Sequence, residues 1–241
     1  MRTRALLTVI VMLLMGAITV AAQTTTEDLC YQKGGNWNAD TLKCTAEAGV
    51  KVSVEYPLEL APFTTADQIV SQWLGQQQQD FISSYTFVPE VPSYANSWDM
   101  NISYQWFSHG SDTISLLFSN SFYTGGAHPN MDYHSFTFNQ ADQHQMTLAE
   151  VFRDSQIPWD SVWNFVRDDL RAKLGGEAAD MTWIEQGSGT NPDNYQNWVI
   201  TETSLIFYFP PYQVTAYAGG PQQVEIPFTA LHMLLAPQFE A

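Results

Sequence analysis

From Ser97 onward, Trp98, Met100, Ile102, Tyr104 and Trp106 occupy every second position, with Asn101, Ser103 and Gln105 among the residues between them. Alternate side chains of an extended backbone point to opposite faces, so this run reads as a strand with one buried face. The turn residues "HGSD" follow, and a second run places Ile114, Leu116, Phe118 and Phe122 on one side. Two alternating runs joined by a short glycine-containing turn predict a hairpin. "DYHSFTFN" is a third strand, with His134, Phe136 and Phe138 on a common face.

The other elements are grouped around this sheet. "VKVSVEYP" alternates Val50, Val52, Val54 and Tyr56 and is stopped by Pro57. Thr65 and Gln68 fit a capping box, opening a helix with Ile69, Val70, Trp73, Leu74 and Phe81 on one face and "GQQQQD" on its polar back. "MTLAEVF" predicts a short helical turn. After Pro158, which a first helical turn tolerates, Trp159, Val162, Trp163, Val166, Leu170 and Leu174 form an apolar stripe that Gly175 ends. Further on, "EQGSGTNPDN" reads as a loop, and "NWVIT" and "SLIFYF" as strands, the second terminated by Pro210 and Pro211. "YAGGPQQ" is a turn, "VEI" a short strand and "FTALHMLL" a closing helical turn. The expected fold is α+β, an antiparallel sheet with two main helices packed on it.

The N-terminus sets the compartment. Arg2 and Arg4 precede an uncharged run from Ala5 to Val20, and "TVAA" supplies the small residues of a cleavage site, so residues 1–22 are expected to be a signal peptide. No other segment approaches the roughly 20 apolar residues of a spanning helix, and the exported protein is not expected to be membrane-embedded. Cys30 and Cys44, the only cysteines, are expected to pair in an oxidising compartment, making residues 23–46 a disulfide loop ahead of one domain, 47–241.

Charge narrows the partners. Two of the nine Lys and Arg fall in residues 1–22, leaving seven against 25 Asp and Glu. There is no Lys or Arg from Val52 to Phe152, nor from Leu174 to the C-terminus. A nucleic-acid ligand is excluded, since binding it requires cations that neutralise phosphates. The acidity either keeps a secreted protein soluble or attracts a cationic partner.

Three motifs carry a family resemblance. "VEYP" before a helix resembles an opening strand; "FYTGGAHPN" with "MTLAEVF" resembles a central signature; "LIFYFPPYQVTAYAGGPQQVEIPFTAL" resembles a closing pattern. Together they span roughly residues 48 to 235. They resemble the bacterial extracytoplasmic family represented by the lysozyme-sensing domain of the anti-sigma factor RsiV and the N-terminal module of the peptidoglycan deacetylase PdaC. The signature residues are Tyr123, Gly125, Gly126, Ala127, His128, Asn130, Pro211, Tyr212 and Gly219, expected to be structural. Sigma-factor binding is not expected to transfer, because only four residues precede the signal core. Deacetylation is not expected either, because the separate catalytic domain with its metal-binding Asp and His pair has no counterpart. What the resemblance implies is recognition of a basic protein such as lysozyme, which an acidic chain would steer toward itself.

Chemistry-bearing constellations are thin. His128, Asp132 and His134 are the one candidate metal set, with Asp132 and His134 two apart on a strand, but a turn is the expected role of the stretch. Gly125 and Gly126 would provide positive φ or close backbone approach, and His128 would satisfy a free carbonyl. No G-x-S-x-G, H-E-x-x-H or phosphate-binding glycine loop occurs. No catalytic residue, metal or cofactor is therefore expected. For glycan stacking, Trp37, Trp98, Trp106, Trp183 and Trp198 are candidates, with Trp183 the most exposed choice. The function expected is a secreted or periplasmic, non-enzymatic binding protein of the cell envelope with a cationic, lysozyme-like protein or peptidoglycan as partner. The alternative is a glycan-binding module or an envelope-glycan hydrolase.

Overall fold

The computed structural model describes residues 25–32, 36–45 and 49–240, so the expected signal peptide lies outside the described residues. The described residues start with α1 (Thr26–Gln32) and the hairpin of β1 (Asn36–Asn38) and β2 (Lys43–Thr45). A disulfide joins Cys30 of α1 to Cys44 of β2, with Cα atoms 5.5 Å apart. Closing a loop of this size stabilises by about 3 kcal/mol in the chain-entropy model.

β3 (Gly49–Val54), α2 (Thr64–Ser84), β4 (Ser97–His109), β5 (Thr113–Tyr123) and β6 (Asn130–Asn139) follow, and the strands form one sheet in the order β3-β4-β5-β6. β3 and β4 are parallel, Val52 opposite Met100, while β4, β5 and β6 are antiparallel. A parallel pair needs a crossover of a dozen or more residues, and residues 55–96 provide it with α2 at their centre. Asn96 fixes the return: its amide exchanges two hydrogen bonds of 2.8 Å with the backbone of Val88, and the Tyr85 hydroxyl donates to its carbonyl at 2.9 Å.

A second sheet comes after α3 (Trp159–Lys173) and α4 (Met181–Ser188): β7 (Trp198–Ile200), β8 (Ser204–Phe209) and β9 (Gln222–Pro227), all antiparallel. The molecule is thus four layers deep. Ala66, Val70 and Leu74 of α2 pack on Met100, Ile102, Leu116, Phe118, Phe136 and Phe138 of the first sheet. Leu117, on that sheet's other face, meets Val199, Ile206 and Tyr208 of the second. Leu205, Phe207 and Phe209, facing away from the first sheet, pack with Val162, Val166 and Leu170 of α3. All of β8 is buried because it is the middle strand of a sheet covered on both sides, which is why "SLIFYF" carries no polar alternation.

The α+β class and the two main helices stand as read from the sequence. Four features differ. The strands divide into two sheets, and β3 enters parallel. α2 starts at Thr64 without a side-chain cap; its Thr65 amide donates instead to Oε1 of Gln143, 2.8 Å away, and the reciprocal capping box forms at Thr147 and Glu150. Part of the segment expected as a loop is helical: α4 is capped by Asp180, whose carboxylate accepts from the amides of Thr182 and Trp183.

Candidate functional site

The stretch from Ser121 to Phe136 leaves β5, turns and becomes β6. Gly125 has φ +84, and a Cβ there would sit 2.4 Å from the Ala95 carbonyl oxygen, so backbone approaches backbone at a place no side chain fits. Gly126 has open space around it, and its carbonyl accepts from the Tyr123 hydroxyl at 3.0 Å. Ala127 and Asn130 are exposed. The His128 ring stacks on Tyr217 with centroids 3.8 Å apart; its Nδ1 lies 2.9 Å from the Pro129 carbonyl oxygen, which also accepts from the Tyr217 hydroxyl at 2.8 Å.

The two signature halves therefore meet. The Tyr212 hydroxyl lies 3.4 Å from Nε2 of His128, and Tyr212 itself holds φ +73, an uncommon backbone for an aromatic residue. Trp183, expected near a loop as a stacking face, belongs to α4 and is half-buried, and its indole N–H donates to the Tyr212 carbonyl at 3.0 Å. The Gly219 amide donates to Ala216 at 2.8 Å, and a Cβ at Gly219 would meet Thr215. Pro211 precedes the strained tyrosine and is half-buried. His128 does not join Asp132 and His134, and no group of three His, Cys, Asp or Glu able to hold a metal occurs among the described residues.

Asp132 and His134 lead to a different place. β6 is the edge of its sheet, and beside it opens a groove of about 400 Å³, lined by Trp73 and Gln77 of α2, Asn120 of β5, Asp132, Tyr133 and His134 of β6, and Asp193, Asn194, Gln196, Asn197, Pro210 and Gln213 of the second layer. The volume lies within the range of small-ligand sites. A second groove of about 360 Å³ shares Gln77, Asn120 and Asp132 and continues past Asp80, Phe81, Ser84 and Phe122. Neither is lined by a Lys or Arg.

Packing fixes these side chains. The His134 ring stacks on Trp73, with centroids 4.5 Å apart and planes 13° from parallel. Burial lowers the His134 pKa below its usual value, so the ring is neutral at neutral pH. Asp132, opposite Asn120 in the β5–β6 register, sits where desolvation raises its carboxyl above the usual range. The Asn120 side-chain oxygen is buried without a hydrogen-bond partner among the described residues. A buried acceptor left unsatisfied costs roughly 1–3 kcal/mol, and a ligand donor placed there recovers it. On the far wall the Gln213 side chain donates to the carbonyls of Gly187 and Asn194, at 2.8 and 2.9 Å, which ties the turn after β8 to the segment before β7.

Sequence reasoning passed over Asn120, Gln77, Asp193 and Gln213. One signal was present: Asn120 interrupts the apolar face of Ile114, Leu116, Phe118 and Phe122, where periodicity calls for a core residue.

Residues 149–229, from the turn before α3 to the end of β9, match the family described as "Protein of unknown function (DUF3298)". This part of the chain is similar to that family. The immunogenic protein MPT64 of Mycobacterium tuberculosis is 25% identical over 234 residues, 95% of each chain. An esterase of the same species is 35% identical over 107 residues, 44% of this chain and 45% of its own. The peptidoglycan-N-acetylmuramic acid deacetylase PdaC of Bacillus subtilis is 23% identical over 141 residues, 58% of this chain and 30% of its own. A DUF3298 family protein from Pseudomonas aeruginosa shares the fold, with a TM-score of 0.51 and 15% identity over 69% of this chain and 71% of its own. Among the described residues no helix is long and apolar enough to cross a membrane.

Proposed function

We propose that the protein is an extracytoplasmic binding module of the bacterial cell envelope, that its ligand lies in the groove between α2, β6 and the segment 193–213, and that it binds this ligand without processing it. The observation that carries the reading is the free acceptor of Asn120 in a cation-free groove. Such a lining favours a ligand that offers hydrogen-bond donors and carries no negative charge. The likeness to a peptidoglycan deacetylase supports the envelope as its source.

A basic protein such as lysozyme is the second reading, favoured by one observation: the charged groups lining the two grooves are Asp80, Asp132 and Asp193. Long-range attraction of this kind acts on the association rate and weakens with salt.

The test is co-sedimentation of the purified protein with isolated cell walls, beside surface capture of hen lysozyme at several salt concentrations and assays for released acetate and reducing ends. Retention on cell walls that Gln77→Trp, which fills the groove, abolishes is the expected result. Steeply salt-dependent, saturable capture of lysozyme alone would transfer the role to the second reading. Failure of both to bind overturns the proposal, and product release that Gln77→Trp abolishes replaces binding by catalysis.

A further inference from the structure

We infer that the occupant of the groove is an uncharged glycan strand, a chain of pyranose rings bearing hydroxyl and N-acetyl groups. This rests on the envelope-binding reading above and names the ligand class.

Shape is the first argument. The two grooves share Gln77, Asn120 and Asp132 and lie side by side along α2, an elongated arrangement suited to a linear ligand rather than a compact one. Wall chemistry is the second. A sugar ring presents apolar C–H faces and a polar rim of hydroxyls, and here the lining combines the aromatic groups Trp73, Tyr133 and His134 with the amides of Gln77 and Asn194. Aromatic faces take the C–H surfaces, while amides both donate and accept. An N-acetyl group has matching needs, because its N–H can donate to the vacant Asn120 oxygen and its carbonyl can accept from a neighbouring amide.

Charge excludes the competing polymers. A strand bearing phosphate or carboxylate would meet Asp80, Asp132 and Asp193 with no cation to compensate. His134 supplies no compensating charge either, since its stack on Trp73 keeps the ring in an apolar setting. Neutral imidazole instead offers one donor and one acceptor, and neither ring nitrogen has a hydrogen bond among the described residues.

The experiment is calorimetric and NMR titration of the purified protein with the N-acetylglucosamine hexasaccharide, with an oligogalacturonate of equal length as the anionic control and hen lysozyme as the basic one. Saturable binding of the hexasaccharide is expected, with chemical-shift changes at Asn120, Asp132 and His134, a loss of about tenfold in Gln77→Ala and Asn120→Ala, as for one lost hydrogen bond, and no binding of the galacturonate. Thermal melts of both variants establish that they are folded; Gln77, half-exposed on α2, keeps the test valid should Asn120→Ala unfold. Equal binding of the anionic oligomer, or hexasaccharide affinity unchanged in folded Gln77→Ala, overturns the inference. Retention on cell walls with no hexasaccharide binding overturns the ligand class and leaves the envelope-binding role standing; lysozyme binding alone overturns the glycan.

Discussion

The main-chain N–H of Ile200 donates across the layers to the side-chain oxygen of Ser115, 3.1 Å away. β7 is the edge of its sheet, and its outward amides would otherwise be buried donors without acceptors. Ser115 also lies 2.9 Å from the Thr137 hydroxyl, and Ser135 accepts from Trp198 at 2.9 Å in the same manner. Serine hydroxyls of one sheet thus close the edge of the other.

Ser115→Ala is accordingly expected to destabilise the fold by about 1–3 kcal/mol, the cost of a buried donor left without a partner. Ser135→Ala should cost less, because Ser135 is only half-buried. Urea unfolding of the two variants checks the order, and equal losses would mean that the edge is closed by packing instead.

The two signature glycines should separate cleanly. Gly125→Ala meets the Ala95 backbone at 2.4 Å and holds φ +84, so it is expected to lose at least about 2 kcal/mol. Gly126→Ala has open space and should stay within about 0.5 kcal/mol of the parent. Thermal melts of the pair decide this.

The turn that caps α2 should make stability depend on pH. His144 lies 2.7 Å from Asp142 and 2.8 Å from Glu150, and hydrogen bonds to these carboxylates raise its pKa above the usual 6.5. A raised folded-state pKa means that the stabilisation is complete below 6.5 and is lost as pH rises through the folded value. Asp142, held low by its hydrogen bond from His144, loses its share only in acid, as pH falls through its own lowered pKa. His134, with its lowered pKa, acts in the opposite direction, losing stability as pH falls below 6.5, and must be cancelled by comparison. The difference in Tm between the parent and His144→Gln, which retains His134, should therefore be largest near about pH 5.5 and shrink at alkaline pH. A difference that grows with pH would refute the assignment.

The elements were legible in the sequence wherever the signal is local. Period-two runs at Trp98–Trp106 and Ile114–Phe118 and the helical stripe of Val162, Val166 and Leu170 require only that neighbouring residues share a face; the second run and the helical stripe are buried, while in the first Met100 and Ile102 are buried and Trp98, Tyr104 and Trp106 are half-buried. α4 was harder to read because it is short and ends in Gly187 and Ser188, poor helix formers, so its N-cap Asp180 was the main local cue. Only the tertiary structure decided that the strands form two sheets, that β3 enters parallel, and that Asn120, Asp132, Gln77 and Asp193 line one groove. Strand order and register depend on contacts between segments far apart in the chain, and the groove exists because Asn120, a polar residue on an apolar face of the inner strand β5, came to rest beside the edge strand β6, which a second layer only partly covers. The sequence by itself determined the faces and the charge; the packing of one sheet on the other decided which polar side chains would meet.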